Sequence, residues 1–104
     1  MAVLQVAKFD VRPEMAAAYV EWALANAQVQ LGIPGVVELR AFRPIAGSAQ
    51  VVATAEFADL AAYAAWRSHP ENERILAEAH KYVENFSVEI WGPSPAAPAP
   101  LRPE

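Results

Sequence analysis

The chain has no cysteine, two histidines and four glycines among its 104 residues. The missing cysteine excludes disulfides and thiol chemistry and leaves the redox compartment unreadable. Two histidines are too few for a dedicated histidine-rich metal centre, so no metal is expected. No glycine-rich phosphate loop, nucleophile elbow or paired-carboxylate signature is present, and flavin, nicotinamide and nucleotide cofactors therefore have no visible site. Positive charge is scarce as well: eight Lys and Arg against twelve Asp and Glu give a net charge of −4. The charges are interspersed and form no basic stripe, which argues against nucleic acid and anionic membrane as partners. No apolar run is long enough to span a bilayer, and the opening Met-Ala-Val-Leu-Gln lacks the basic region of a signal peptide. A cytoplasmic protein is the expectation.

What the chain has in abundance is apolar residues, 55% of the total. A monomer this small buries only about 60–65% of the surface its unfolded chain exposes. The apolar excess therefore points to a partner covering part of the surface, and a homodimer is the commonest such assembly.

Alternation and helical periodicity divide the chain into six stretches. Val3 to Val11 reads as a strand, with Val3, Gln5, Ala7, Phe9 and Val11 on one face. Pro13 opens a helix running to about Leu31, where Glu14, Glu21 and Gln28 mark the wet side and Ala16, Tyr19, Val20, Ala23 and Ala27 the core side. Gly32 and Pro34 end it. Val36–Ile45 and Gln50–Phe57 read as a hairpin joined through Ala46–Ala49. In its first strand Val37, Leu39 and Ala41 form the apolar face. Asp59 caps a short helix through about Arg67. A second start follows, with Ser68 as cap, Glu71 as capping-box partner and Pro70 in the first turn, and that helix runs to about Val83. Phe86, Val88 and Ile90 then alternate with Ser87, Glu89 and Trp91 as a last strand.

The order is βαββαβ, which predicts an α+β ferredoxin-like sandwich: a four-stranded antiparallel sheet with helices on one face. Residues 1–92 form the domain. Residues 93–104, rich in proline and alanine, are expected to form a flexible tail. The second strand faces (Val6, Lys8, Glu38, Arg40, Phe42, Val52, Glu56) are too apolar for plain solvent and read as a dimer surface.

Over residues 3 to 91 the chain resembles the dimeric α+β barrel superfamily, and within it the antibiotic biosynthesis monooxygenase-like domains. The resemblance rests on Lys8-Phe9-Asp10-Val11-Arg12-Pro13 closing the first strand and on Ile33-Pro34-Gly35-Val36 before the second. Phe57 leading into Asp59-Leu60 and the helix from Trp66 to His80 complete it. It implies a homodimer through the sheet faces and a small pocket between helices and sheet. It also implies one of several activities: cofactor-free oxygenation of quinols or aromatic polyketides, haem degradation, isomerisation, or none.

Candidate site residues cluster on the helices. Trp66 and His80 are similar in type to a tryptophan and histidine of the haem-degrading branch, although Ala7 and Lys8 stand where that branch has an asparagine. Tyr63 with His69-Pro70-Glu71-Asn72 is similar to the tyrosine and histidine pattern of stress-responsive A/B barrel proteins, with Asn72 in place of a second histidine. Tyr63 also matches the tyrosine of polyketide monooxygenases, whose tryptophan and asparagine are replaced by Phe57 and Ala53. Trp22 and Asn26, one helical turn apart, are placed to line the pocket mouth. The reading carried forward is an oxygenase of a small electron-rich aromatic ligand, without cofactor. His69 or His80 would serve as base, and Tyr63, Trp66, Trp22 and Asn26 would form the walls. The competing reading is a non-catalytic dimer that binds a small apolar ligand.

Overall fold

The structure is a computed structural model and describes residues 2–104. Four strands, β1 (Val3–Val11), β2 (Val36–Phe42), β3 (Val51–Phe57) and β4 (Val83–Trp91), form one sheet in the order β2-β3-β1-β4, every pair antiparallel. Three helices, α1 (Ala16–Leu31), α2 (Leu60–Arg67) and α3 (Pro70–Ala79), accompany it, with a 3-10 turn at Pro13–Met15 leading into the first. This is the ferredoxin-like α+β arrangement anticipated from the element order. No helix of the described residues is long and apolar enough to cross a membrane.

The local signals act where chemistry requires. Asp59 Oδ1 accepts from the Ala62 amide at 2.8 Å and satisfies one of the orphan donors at the start of α2. Gly35 turns the chain from α1 into β2 at φ +114°, and a Cβ there would come within 3.2 Å of the Ala62 carbonyl. The turn therefore needs both the conformation and the missing side chain of glycine.

Five expectations are corrected. The hairpin strands are shorter and the loop longer, from 43 to 50; Pro44 has no N–H to give to a ladder, and Ile45 is 98% exposed. A bulge between Val36 and Glu38 pairs Val36 with Phe57 and leaves Val37 57% exposed, not on the core face. The cap of α3 is His69, whose Nδ1 accepts from the Glu71 amide at 3.1 Å, while Ser68 closes α2 by donating to the Ala64 carbonyl. α3 ends at Ala79 and β4 starts at Val83, three residues before Phe86. Asn85, at φ 54°, sits in the bulge where the β1–β4 register shifts, and its amide donates to Asp10 Oδ2 at 2.9 Å. Finally, α1 turns Tyr19, Ala23 and Ala27 inward as expected, but Ala16 and Val20 are exposed, and Trp22, Asn26 and Gln30 complete its inner face.

The interior is split. One cluster gathers Val3, Ile33, Ala55, Phe57 and Trp66, with Tyr63 packed against it. The other gathers Ala7, Phe9, Ala79 and Val83, with Tyr19, Trp22 and Phe86 against it. Phe57 is fully buried between Tyr63 and Trp66, its ring centre 5.4 and 5.1 Å from theirs. A cavity with walls from both clusters lies between them.

Candidate active site: an aromatic cavity over a row of alanines

The cavity follows from strand register. Ala41 of β2 pairs with Ala53 of β3, Ala53 pairs with Ala7 of β1, and Ala7 pairs with Val88 of β4. Residues directly paired in this way project to the same face of the sheet. Three adjacent strands thus present only methyl groups to the helices in that row. Opposite, α1 presents Ala23 and Ala27, and α3 presents Ala79. Small side chains on both layers leave a hollow of about 550 Å³, within the range of small-molecule sites.

Aromatic rings enclose it. Phe9, Tyr19, Trp22 and Phe86 stand at one end, Tyr63 and Trp66 at the other. The rings brace each other: Tyr19 meets Phe9 edge-on at 6.0 Å, and Trp22 stacks on Tyr82 at 4.9 Å. Burial pushes the Tyr19 phenol above its ordinary value, so it stays a neutral donor.

Polar groups reach the cavity from the seams between helices. Asn72, almost fully buried on α3, accepts from Gln30 at 3.0 Å and donates to the Trp66 carbonyl at 2.7 Å. Trp66 Nε1 donates to the Gln30 carbonyl at 3.3 Å. Asn26 on α1, 8% exposed, donates to the Trp22 carbonyl at 2.8 Å and accepts from Arg74 at 3.0 Å. Trp22 Nε1 donates to Glu78 at 2.9 Å, and Glu78 receives Arg74 on its other oxygen at 3.0 Å. The bond from Trp22, followed by that from Arg74, holds the Glu78 carboxyl below its ordinary range. Among the described residues no buried polar side-chain atom lacks a partner. The walls are therefore fixed before any ligand arrives, since each buried polar group is held by a directed bond.

The cavity brings together four of the six residues singled out from the sequence: Trp22, Asn26, Tyr63 and Trp66 all line it. His69 and His80 do not. His69 Nδ1 is occupied by the Glu71 amide as the α3 cap. His80 is exposed at the end of α3, its ring 6.0 Å from the outer side of the Phe86 wall. No histidine, aspartate or glutamate is among the lining residues, whereas Gln5, Gln30, Asn72 and Arg67 are. Sequence reasoning put Gln5 on the right strand face and met Asn72 only as a replacement for histidine, and it passed over Gln30 and Arg67, because each is an ordinary polar residue until its element is placed. The i, i+4 spacing of Trp22, Asn26 and Gln30 was the one readable signal. Among the described residues no cluster of three metal-ligating side chains forms.

Fold and cavity together define a ferredoxin-like α+β protein with a hollow between its helices and its sheet. The particular family follows from sequence: the antibiotic biosynthesis monooxygenase family matches residues 2–78, and the chain belongs to it. No curated protein matches. Similar solved structures include a dabb family protein with a ferredoxin-like fold from Mesorhizobium loti, 20% identical, covering 89% of this chain and 97% of that one, with a TM-score of 0.79. SnoaB from Streptomyces nogalater, described as a cofactor-independent oxygenase and solved as a point mutant, is 18% identical over 86% of this chain and 90% of that one, TM-score 0.74. A dimeric ferredoxin-like protein of unknown function from Thermobifida fusca is 16% identical over 88% and 90%, TM-score 0.72. At such identities these likenesses speak for the fold.

Proposed function

We propose that the protein is a cofactor-independent monooxygenase that oxidises a small, planar, electron-rich aromatic in the cavity. One observation carries the reading: a preformed aromatic-walled hollow of about 550 Å³ whose polar lining is neutral or cationic, without a carboxylate. Such a site suits an aryl oxyanion, the form of a phenol that gives up electrons most readily. In the reaction, the oxyanion passes an electron to dioxygen. The resulting pair joins through a C–O bond, and the hydroperoxide loses water, so that the ring CH2 of an anthrone and O2 become C=O and H2O, and a hydroquinone and O2 become a hydroxyquinone and H2O. The walls hold the ring system flat, exclude water from the radical pair and donate hydrogen bonds to the oxyanion. The family and the description of SnoaB as an oxygenase support the reaction class.

His69 and His80 were the sequence candidates for a base, and their positions off the cavity leave them out of this reading. His69→Ala and His80→Ala are expected to leave turnover unchanged. The test is oxygen uptake with anthrone and a panel of naphthalene hydroquinones. Uptake above the spontaneous rate, lost on Asn26→Leu, supports the reading; uptake lost in a histidine variant overturns the assignment of roles.

The absence of a general base from the lining favours one other reading, a binding protein for the same ligands. Stoichiometric binding across the panel with no uptake would establish it.

The protein is further proposed to act as a homodimer through the outer sheet face. Phe42 and Trp91 are exposed there. Trp91 is paired with Leu4, and its ring centre lies 5.7 Å from Lys8 Nζ, so the ring spans the Val6 position between them. A mixed face that carries these rings beside the Lys8–Glu89 and Arg40–Glu38 pairs fits a two-fold contact. Light scattering should give twice the chain mass, and Val52→Glu should give the monomer.

A further inference from the structure

Beyond β4 the chain turns back toward the sheet. The Ala97 amide donates to the Ser94 carbonyl at 3.1 Å and the Ala96 amide to Ser94 Oγ at 3.2 Å. This turn returns Pro98 to a groove that it lines with Pro93, Leu4, Glu56 and Trp91. Past Pro98 the chain is bare: Pro100, Leu101, Arg102 and Pro103 are all exposed, Leu101 to 85%. The prolines at 98, 100 and 103 hold this stretch extended. A leucine and an arginine thus stand off the sheet to which Pro98 anchors them.

The groove is one end of a row that crosses the outer sheet face. Trp91 pairs with Leu4, Leu4 with Glu56, and Glu56 with Glu38. Two carboxylates therefore stand directly opposite each other on β3 and β2, which is destabilising unless a cation joins them. Arg40 approaches Glu38 at 3.9 Å. Among the described residues neither Glu56, which is half-buried, nor Arg102 makes an ion pair. A face with an unmatched carboxylate thus has an unmatched cation at its rim.

We infer that residues 98–103 are a clasp between the two protomers of a dimer. Pro98 stays on its own sheet, Arg102 pairs with Glu56 of the partner subunit, and Leu101 packs beside that pair. The inference rests on the dimer through the outer sheet face and deepens it by naming the segment that closes it. Strand order brings the two ends together. In the order β2-β3-β1-β4, a two-fold axis along the strands between β3 and β1 lays β3 over β1 and β2 over β4. The row then meets its own copy in reverse, with Glu56 of the partner subunit over Leu4, beside Pro98. Facing sheets lie about 10 Å apart. The extended chain from Pro98 to Arg102 spans about 12 Å at about 3.1 Å per residue, enough to cross that gap. Folded back on its own sheet, the segment would cover Leu101, and Leu101 is exposed.

The test is the dissociation constant of the dimer, measured by analytical ultracentrifugation of the full chain along a dilution series. Low ionic strength keeps exposed charges unscreened. Each dimer holds two such contacts, and an exposed ion pair contributes about threefold. Arg102→Glu should therefore raise the constant about tenfold, and Glu56→Arg as much. Arg102 is exposed in the tail, so its replacement leaves the fold intact. An equimolar mixture of the two variants then tells which protomer the tail grips. In the mixed dimer every tail meets an opposite charge on its partner, and the wild-type constant should return. A tail that grips its own sheet meets a like charge in both protomers, and the mixture stays as weak as its components. Two results overturn the inference while leaving the dimer: no change in Arg102→Glu, or a mixture that does not recover. A wild-type chain that is monomeric at every concentration refutes the outer-face dimer itself, and the clasp with it.

Discussion

Filling the alanine row separates a hollow kept for a ligand from a core that is merely loosely packed. Ala53 is half-buried, its direct neighbours Ala7 and Ala41 are also alanines, and it faces the cavity. Ala53→Val adds two methyl groups where there is room for them. Each buried carbon contributes about 0.8 kcal/mol, so the gross gain is about 1.6 kcal/mol. Restricting the new side chain costs about 0.5 kcal/mol, and valine suits a strand better than alanine does. The net expectation is about 1 kcal/mol of added stability, or a rise in Tm of about 4–8 °C for a domain of this size. The same change should weaken 2-naphthol binding at least about tenfold, because the methyls occupy the floor on which a planar ring would lie. Urea unfolding gives the first number and titration calorimetry with 2-naphthol the second. A packed core would respond oppositely, losing about 1–3 kcal/mol to overpacking. A destabilised Ala53→Val variant would therefore refute the cavity, and a stabilised one that binds 2-naphthol as well as before would refute its role.

Phe57→Ala removes a fully buried ring held between Tyr63 and Trp66 and should cost about 3–5 kcal/mol by urea unfolding. Asp59→Ala deletes the α2 cap bond and should cost about 1 kcal/mol; a null effect would mean that the helix start is held by its packing alone. Asp10 is held below its ordinary value first by the Asn85 amide and then by the Gln50 amide. Glu89 is likewise lowered, first by Trp91 and then by Lys8. A carboxyl whose folded value is lowered stabilises the fold fully above its unfolded value, and that stability is lost as pH falls through the folded one. Stability should thus decline on acidification through and below the ordinary carboxylate range, and Asp10→Asn should flatten the decline in urea melts taken along a pH series.

The order of elements was legible in the sequence because its signals are local. Alternation in Val3–Val11, the Pro13 start, the Gly32–Pro34 stop and the Asp59 cap each act within a turn or two of chain, and each is present in the fold. The wall residues Trp22, Asn26, Tyr63 and Trp66 were legible in part, since helical spacing puts polar and aromatic groups on a shared face. The bulge at Val36–Glu38 and the left-handed Asn85 were not, because they depend on which residue of a neighbouring strand lies opposite. The pose of α1 was misread in part for a related reason: alanine-rich helices are weakly amphipathic, so Val20 looks as suited to the core as Trp22 until the bond from Trp22 to Glu78 and that from Arg74 to Asn26 choose the face. Histidine chemistry was inferred from residue type, and the backbone then used His69 as a cap and left His80 outside the Phe86 wall.

By itself, then, the sequence determined the βαββαβ order, the caps and stops of its helices and its family, all written in contacts a few residues long. Tertiary structure alone decided that three alanines from three strands fall in one row, that two helices bridge them without filling the space, and that an asparagine on one helix is bonded by an arginine from the other. Those facts depend on register and on hydrogen bonds between residues some fifty positions apart, and no local preference encodes such distances.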